Sequence, residues 1–344
     1  MKPRDFALER FFAQYEFTTK YLLCSSDPQA LSIRELCAPE HGSDEGLLDV
    51  WLGYTESRGN PELRRLIAQG YDRTPEACVL VHTGSNEPIF TFMNAVLEPG
   101  DRILAQFPAY QSHYSVAEAI GAEFVPWPCD LNGEGAPDPE WLVRSIDSRT
   151  RAIVFTSPNN PTGYVFDRAR LDATVEIARK HGLWLFGDEV YRGTERDAAD
   201  RVPAVCDLYE RGVSLGGTAK AYGLAGLRIG WIATHDRALY DRMAAFKDYL
   251  TICNPAPSEF LTAVMLRQAE TLLERVREIC RRNLDLLDGF FARHADRWQW
   301  HRPRAGTTAF PRYLGGSTQA LCDDVVKNAG VLLLPSAAFD CGDD

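Results

Sequence analysis

The apolar positions of this chain fall in short unbroken runs. Cys78-Val-Leu-Val-His82, Arg102-Ile-Leu-Ala105, Ala152-Ile-Val-Phe155, Leu183-Trp-Leu-Phe186 and Gly230-Trp-Ile-Ala233 each read as a strand. A strand covered on one face alternates apolar and polar residues. One covered on both faces is apolar throughout, so these runs predict a mostly parallel sheet between two helical layers. The intervening stretches support this, for example Leu171-Asp-Ala-Thr-Val-Glu-Ile-Ala-Arg-Lys180, which is helical. Strands alternating with helices give an α/β fold of three layers, α/β/α.

Beyond Trp231 the pattern changes. Residues 236–294 are strongly helical, with a break around Asn254-Pro-Ala-Pro257. Phe310-Pro-Arg-Tyr-Leu314 and Val331-Leu-Leu-Leu-Pro335 then read as strands of a smaller α+β unit, with which the first forty or so residues are expected to pack. The expected division is a large domain over 45–250 and a small domain from 1–44 and 251–344. The length of 344 residues suits two such units.

Composition narrows the function classes. A net charge of −11 argues against nucleic acid and anionic membrane as main partners. No run reaches the ~18 apolar residues of a membrane span, and Met1–Arg10 has no apolar core for a secretory signal. Nine cysteines include no CxxC pair and no Cys/His cluster with zinc spacing, so no metal site is expected. The odd count in a long chain suits reduced thiols and a cytoplasmic setting. The histidines are isolated, and His82 and His113 read as structural.

The chemistry is densest in Ser214-Leu-Gly-Gly-Thr-Ala-Lys220-Ala-Tyr-Gly-Leu-Ala-Gly-Leu-Arg228. A lysine among small and apolar neighbours is partly buried, and burial lowers its pKa and frees its amine as a nucleophile. Such an amine can form a Schiff base with an aldehyde cofactor, whose phosphate Arg228 could hold. Alone, the segment equally describes a strand-end lysine paired with an acid. Reading back along the chain adds Gly187-Asp188-Glu-Val-Tyr191, Ser157-Pro-Asn-Asn160-Pro-Thr-Gly163, Phe107-Pro-Ala-Tyr110, Thr83-Gly84-Ser85-Asn86-Glu87 and Gly53-Tyr54-Thr-Glu-Ser-Arg-Gly59. In this order the set resembles the class I/II aminotransferases among the fold-type I pyridoxal-phosphate enzymes, and the resemblance covers nearly the whole chain.

That resemblance implies pyridoxal 5′-phosphate held by Lys220 and a role for each motif. Ser85 and Asn86, at a strand-to-helix turn, bind phosphate together with Arg228, as helix starts attract anions. Tyr110 stacks on the pyridine ring, Asn160 and Tyr191 reach its hydroxyl, and Asp188 keeps its nitrogen protonated. Tyr54 reaches the phosphate across a homodimer interface, so the active site is shared. The expected activity is an aminotransferase acting on an α-amino acid, with Lys220, Asp188 and Tyr110 as catalytic residues.

Two departures stand out. Relatives carry a phosphate-binding serine three residues before the lysine. Here Gly217 occupies that position, with Thr218 as the available substitute. The chain also stops at Cys341-Gly-Asp-Asp344, where the family continues into a strand carrying a carboxylate-gripping arginine, so the C-terminal end reads as truncated, with Arg312 as a weak replacement. Leu22-Leu-Cys-Ser25-Ser26-Asp27, followed by Leu31-Ser-Ile-Arg-Glu-Leu36, is similar to the N-terminal region of capreomycidine synthases. This suggests an alternative, a cyclase on an arginine-derived amino acid with Ser25 and Ser26 near substrate. A non-catalytic regulatory protein on the same fold is a third reading.

Overall fold

The computed structural model describes residues 2–40 and 42–342. In chain order come helix α1 (Ala7–Tyr15), strand β1 (Tyr21–Leu22), α2 (Pro61–Ala68), β2 (Val79–His82), α3 (Asn86–Val96), β3 (Arg102–Phe107), α4 (Ser112–Ile120), β4 (Glu123–Pro128) and β5 (Thr150–Thr156). There follow α5 (Arg168–His181), β6 (Trp184–Asp188), β7 (Gly212–Gly217), β8 (Gly230–Thr234), α6 (Arg237–Lys247), α7 (Ala256–Arg267), α8 (Ala269–Arg293), β9 (Trp298–Gln299), β10 (Arg312–Tyr313), α9 (Thr318–Ala329) and β11 (Val331–Leu332). No helix among the described residues is long and apolar enough to cross a membrane.

The central sheet has the order β2-β8-β7-β6-β5-β3-β4. β4, β3, β5, β6 and β7 run parallel, and β8 is antiparallel to both neighbours. β2 therefore points the same way as β7. One face packs Leu80, Ile103, Phe186 and Leu215 against Phe92 and Met93 of α3 and Tyr240 and Met243 of α6. The other packs Leu104, Ile153 and Leu185 against Leu171, Val175 and Ala178 of α5. This is the expected three-layer arrangement. α5 also shows why the elements end where they do. The Asp167 carboxylate caps its start by accepting from the Arg170 N–H at 2.8 Å, and Gly182, at φ 65°, stops it in the left-handed region.

Two strands of the central sheet escaped the sequence pattern for opposite reasons. β4 (Glu-Phe-Val-Pro-Trp-Pro) carries two prolines, which a strand tolerates because β4 lies at the sheet edge with only β3 beside it. β7 (Gly-Val-Ser-Leu-Gly-Gly) lacks a continuous apolar run, yet its glycines are tightly packed. A Cβ on Gly216 would lie 2.5 Å from the Trp231 indole, and one on Gly212 would run into the Val205 carbonyl.

The N- and C-terminal segments meet. β1 pairs with β11, and Leu8 packs with Ala338 and Phe339. The two predicted C-terminal strands are shorter than expected, reduced to the pairs Arg312–Tyr313 and Val331–Leu332. Phe186 is fully buried at the centre of the sheet, tilted 4.6 Å from Phe92. Phe186→Ala should destabilise the protein by about 3–5 kcal/mol, seen as a lower urea midpoint with unchanged far-UV dichroism before the transition.

Candidate active site

The carboxyl ends of β2, β3, β5, β6 and β7 lie on one edge of the sheet, where open α/β sheets place their ligands. Every motif singled out above except the Tyr54 and Ser25–Asp27 segments follows one of these strands directly. Lys220 comes three residues after β7, and its ammonium donates to Ser26 Oγ at 2.7 Å. Ser26 also faces Tyr191, and its carbonyl accepts from Thr307 Oγ1 at 2.5 Å. Burial pulls the Lys220 pKa down and Arg228 adds to this, against opposing pulls from Asp27, Asp188 and Glu9.

Asp188 closes β6. Its Oδ2 lies 3.0 Å from Nε2 of His113, both side chains buried, and its Oδ1 accepts from the Val190 N–H at 3.2 Å. His113, expected to be structural, is brought against Asp188 through this pair. The available signal was spacing: Tyr110 and His113 lie one helical turn apart, and their rings meet edge to face at 6.1 Å. The adjacent carboxylate, Glu189, turns to the opposite side of the sheet. Its Oε1 accepts from Val205 N–H (2.8 Å) and Ser214 Oγ (2.9 Å), while Oε2 is buried without a partner.

Tyr110 meets His113 of this centre, and Tyr191 meets Ser26. Tyr110 Oη accepts from Asn86 Nδ2 at 3.1 Å, and Phe6 packs on its ring at 5.1 Å. Tyr191 is buried, with its phenol pKa pushed up by burial, and accepts a long 3.4 Å bond from Asn160 Nδ2. Neighbouring Asn159 holds the turn instead, through Thr162 N–H and Oγ1.

At the start of α3 the Ser85 hydroxyl makes no cap bond to its own helix. Gly84, at φ +75°, leaves space that Arg228 fills, since a Cβ there would lie 2.5 Å from its Nη2. A Cβ on Gly230 would lie 2.7 Å from the Gly84 carbonyl, and one on Gly217 would run into Ser85 Oγ. Gly217 is thus where Ser85 sits against β7, which accounts for the missing serine. Thr218 is buried, and its hydroxyl is shared between the Leu224 and Ile229 carbonyls at 3.2 Å each, so its proton is engaged by backbone. The Arg228 guanidinium forms no ion pair among the described residues. The motif therefore assembles an uncapped helix start, a hydroxyl and an unpaired cation, a donor set for a dianion.

Three other expected residues make no hydrogen bond to Lys220 among the described residues. Tyr54 is 83% exposed. Ser25 Oγ donates to Asp27 Oδ1 at 2.6 Å. Arg312 is exposed on β10 and donates to Asn132 Oδ1 at 2.9 Å, with no contact to the assembled group.

The profile "Aminotransferase class I and II" matches residues 19–344. The chain belongs to this aminotransferase family. It is 32% identical over 262 residues to the probable aspartate/prephenate aminotransferase of Thermus aquaticus, covering 72% of this chain and 67% of that protein. It is 30% identical over 289 residues to the capreomycidine synthase of Streptomyces vinaceus, covering 83% and 74%. The crystal structure of a PLP-dependent aminotransferase from Streptococcus suis superimposes with TM-score 0.93 at 28% identity, over 100% of this chain and 92% of that one.

Within this aminotransferase, Glu189 sets a pH dependence of folding. Burial pushes its carboxyl up to about 7, above the ~4.3 of an unfolded glutamate. The folded state holds this proton more tightly, so the group's contribution is largest below about pH 4.3 and declines as pH rises towards 7. The expected loss is on the order of 3 kcal/mol. Glu189→Gln keeps the acceptor and fills the unpartnered position with an amide, so it should flatten this slope in urea denaturation measured across that range.

Proposed function

We propose that this chain moves an amino group from an α-amino acid to a keto acid, using pyridoxal 5′-phosphate held at Lys220. The observation that carries the reading is the convergence of Lys220, the buried Asp188–His113 pair and the Gly84–Ser85–Arg228 cradle on one sheet edge. The residues fit the cofactor part by part. Ser85, the first N–H groups of α3 and Arg228 suit its phosphate, and Tyr110 suits the face of its ring. Asn160 and Tyr191 suit the ring oxygen, and Asp188 the ring nitrogen.

When bound, the cofactor supplies an electron sink for the carbanion formed at the substrate's α-carbon. Asp188 would keep the ring nitrogen protonated, and His113, 3.0 Å from Oδ2, orients that carboxylate. Lys220 holds the cofactor between turnovers. Its amine, biased towards neutrality by burial, would take up and return the proton at the substrate's α-carbon. The Ser26 hydroxyl beside it holds the free amine in place.

We further propose a homodimer with shared sites. Leu48, Trp51, Leu52, Tyr54 and Tyr249 are each more than 75% exposed. Their segments are tied together by Thr55 Oγ1 to the Asn254 carbonyl (2.9 Å), and to the cradle by Thr83 Oγ1 to Asn254 Oδ1 (3.4 Å). An apolar face beside the phosphate cradle suits a second copy that delivers its Tyr54 there. The unpaired state of all nine cysteines supports a cytoplasmic setting. The proposed cofactor domain runs over 45–250, with 1–44 and 251–344 forming the smaller one.

A second reading, cyclisation of an arginine-derived amino acid, is favoured by Ser26 lying against Lys220. Product analysis separates the two: a keto acid with amino transfer supports the first, and a cyclic amino acid without transfer the second. Lys220→Ala should abolish the visible band of the bound cofactor and lower turnover roughly a hundredfold or more. A variant that keeps both would overturn the assignment. Trp51→Glu should turn a dimer into a monomer by sedimentation velocity and weaken cofactor retention, while an unchanged sedimentation coefficient would count against the shared site.

A further inference from the structure

We propose that Asp27 selects substrate, and that this aminotransferase acts on amino acids whose side chain carries a cation, guanidinium above all. The inference rests on the aminotransferase reading and concerns what its site accepts. Residues 25–27 form a strap across Lys220. Ser26 Oγ lies on the lysine amine, and the Ser26 carbonyl is pinned by Thr307 Oγ1. The next residue, Asp27, is half-buried at the same place. Ser25 Oγ holds one of its oxygens at 2.6 Å, and the carboxylate forms no ion pair with any lysine or arginine among the described residues.

The charges around the site are otherwise spoken for. Asp188 is paired with His113, and Arg228 stands at the phosphate cradle. Asp27 acts electrostatically on both Lys220 and Tyr191, and Glu9, exposed on α1, acts on Lys220 and Tyr110. Two carboxylates therefore act on the lysine, and beyond the Lys220 ammonium itself neither has an ion-pair partner among the described residues. A half-buried, unpaired carboxylate is costly unless a cation meets it. The free oxygen of Asp27 and the Ser25 hydroxyl oxygen give adjacent acceptors that a planar guanidinium fork can take up together, with a compact ammonium as the poorer match.

The test uses the holoprotein. Wild type, Asp27→Asn and Asp27→Glu are titrated calorimetrically with L-arginine and with L-norleucine, and kcat/KM is measured for both. In wild type, arginine should bind more tightly than norleucine. Asp27→Asn should cut the arginine:norleucine ratio by on the order of tenfold or more, Asp27→Glu should restore part of it, and Glu9→Gln should reduce it less than Asp27→Asn does. A ratio near one in wild type, or one unchanged in Asp27→Asn, would overturn the proposal while leaving transamination standing. If no keto acid forms from any amino acid, the aminotransferase reading fails, and the affinity ratio still decides the role of Asp27.

Discussion

Three backbones meet at one point of this molecule: the turn after β2, the end of β7 and the start of β8. Gly84, Gly217 and Gly230 face one another there with no room for a Cβ between them. This contact sets the depth of the site. It brings the start of α3 against β7, seats Ser85 where a side chain on residue 217 would otherwise stand, and leaves a slot for the Arg228 guanidinium. Arg228 itself sits at φ +50°, a left-handed conformation uncommon outside glycine. The strain is modest and local, and the close packing around it keeps the side chain aimed at the cradle. Lys220 leaves the same strand three residues later, so the position of its amine is tied to this backbone contact.

Much of this was legible in the sequence, for a physical reason. Strands buried on both faces announce themselves as apolar runs, and ligand-binding residues sit just past the carboxyl ends of such strands. Once Cys78–His82, Ala152–Phe155 and Leu183–Phe186 read as strands, Gly84, Asn160 and Asp188 had their places. What stayed hidden depended on tertiary contact. His113 lies on an ordinary-looking helix, and only the fold brings its Nε2 to Asp188. Gly217 looked like a lost phosphate ligand because a sequence cannot show that Ser85 lies against it. β4 and β7 were hidden by proline and glycine, which carry the opposite message in most settings and are tolerated here by an edge position and by close packing.

The Asp188–Glu189 pair shows how much one residue of register decides. Successive side chains of a strand end leave on opposite faces. One carboxylate therefore meets histidine at the ligand edge, while its neighbour is sealed among Val205, Ser214 and Arg192, where burial favours its neutral form. Two adjacent carboxylates are thus divided between the ligand edge and the packed interior.

The strap over Lys220 joins distant parts of the chain. Ser26 is held by Thr307, 281 residues away in sequence, and β1 beside it pairs with β11. The cradle and the lysine, by contrast, are contained between residues 82 and 230. During synthesis the cradle and the lysine are complete while Thr307, which pins the strap, is still to be made. Contacts of such long sequence separation form slowly. Closure over the lysine is therefore among the last steps by which this fold is completed.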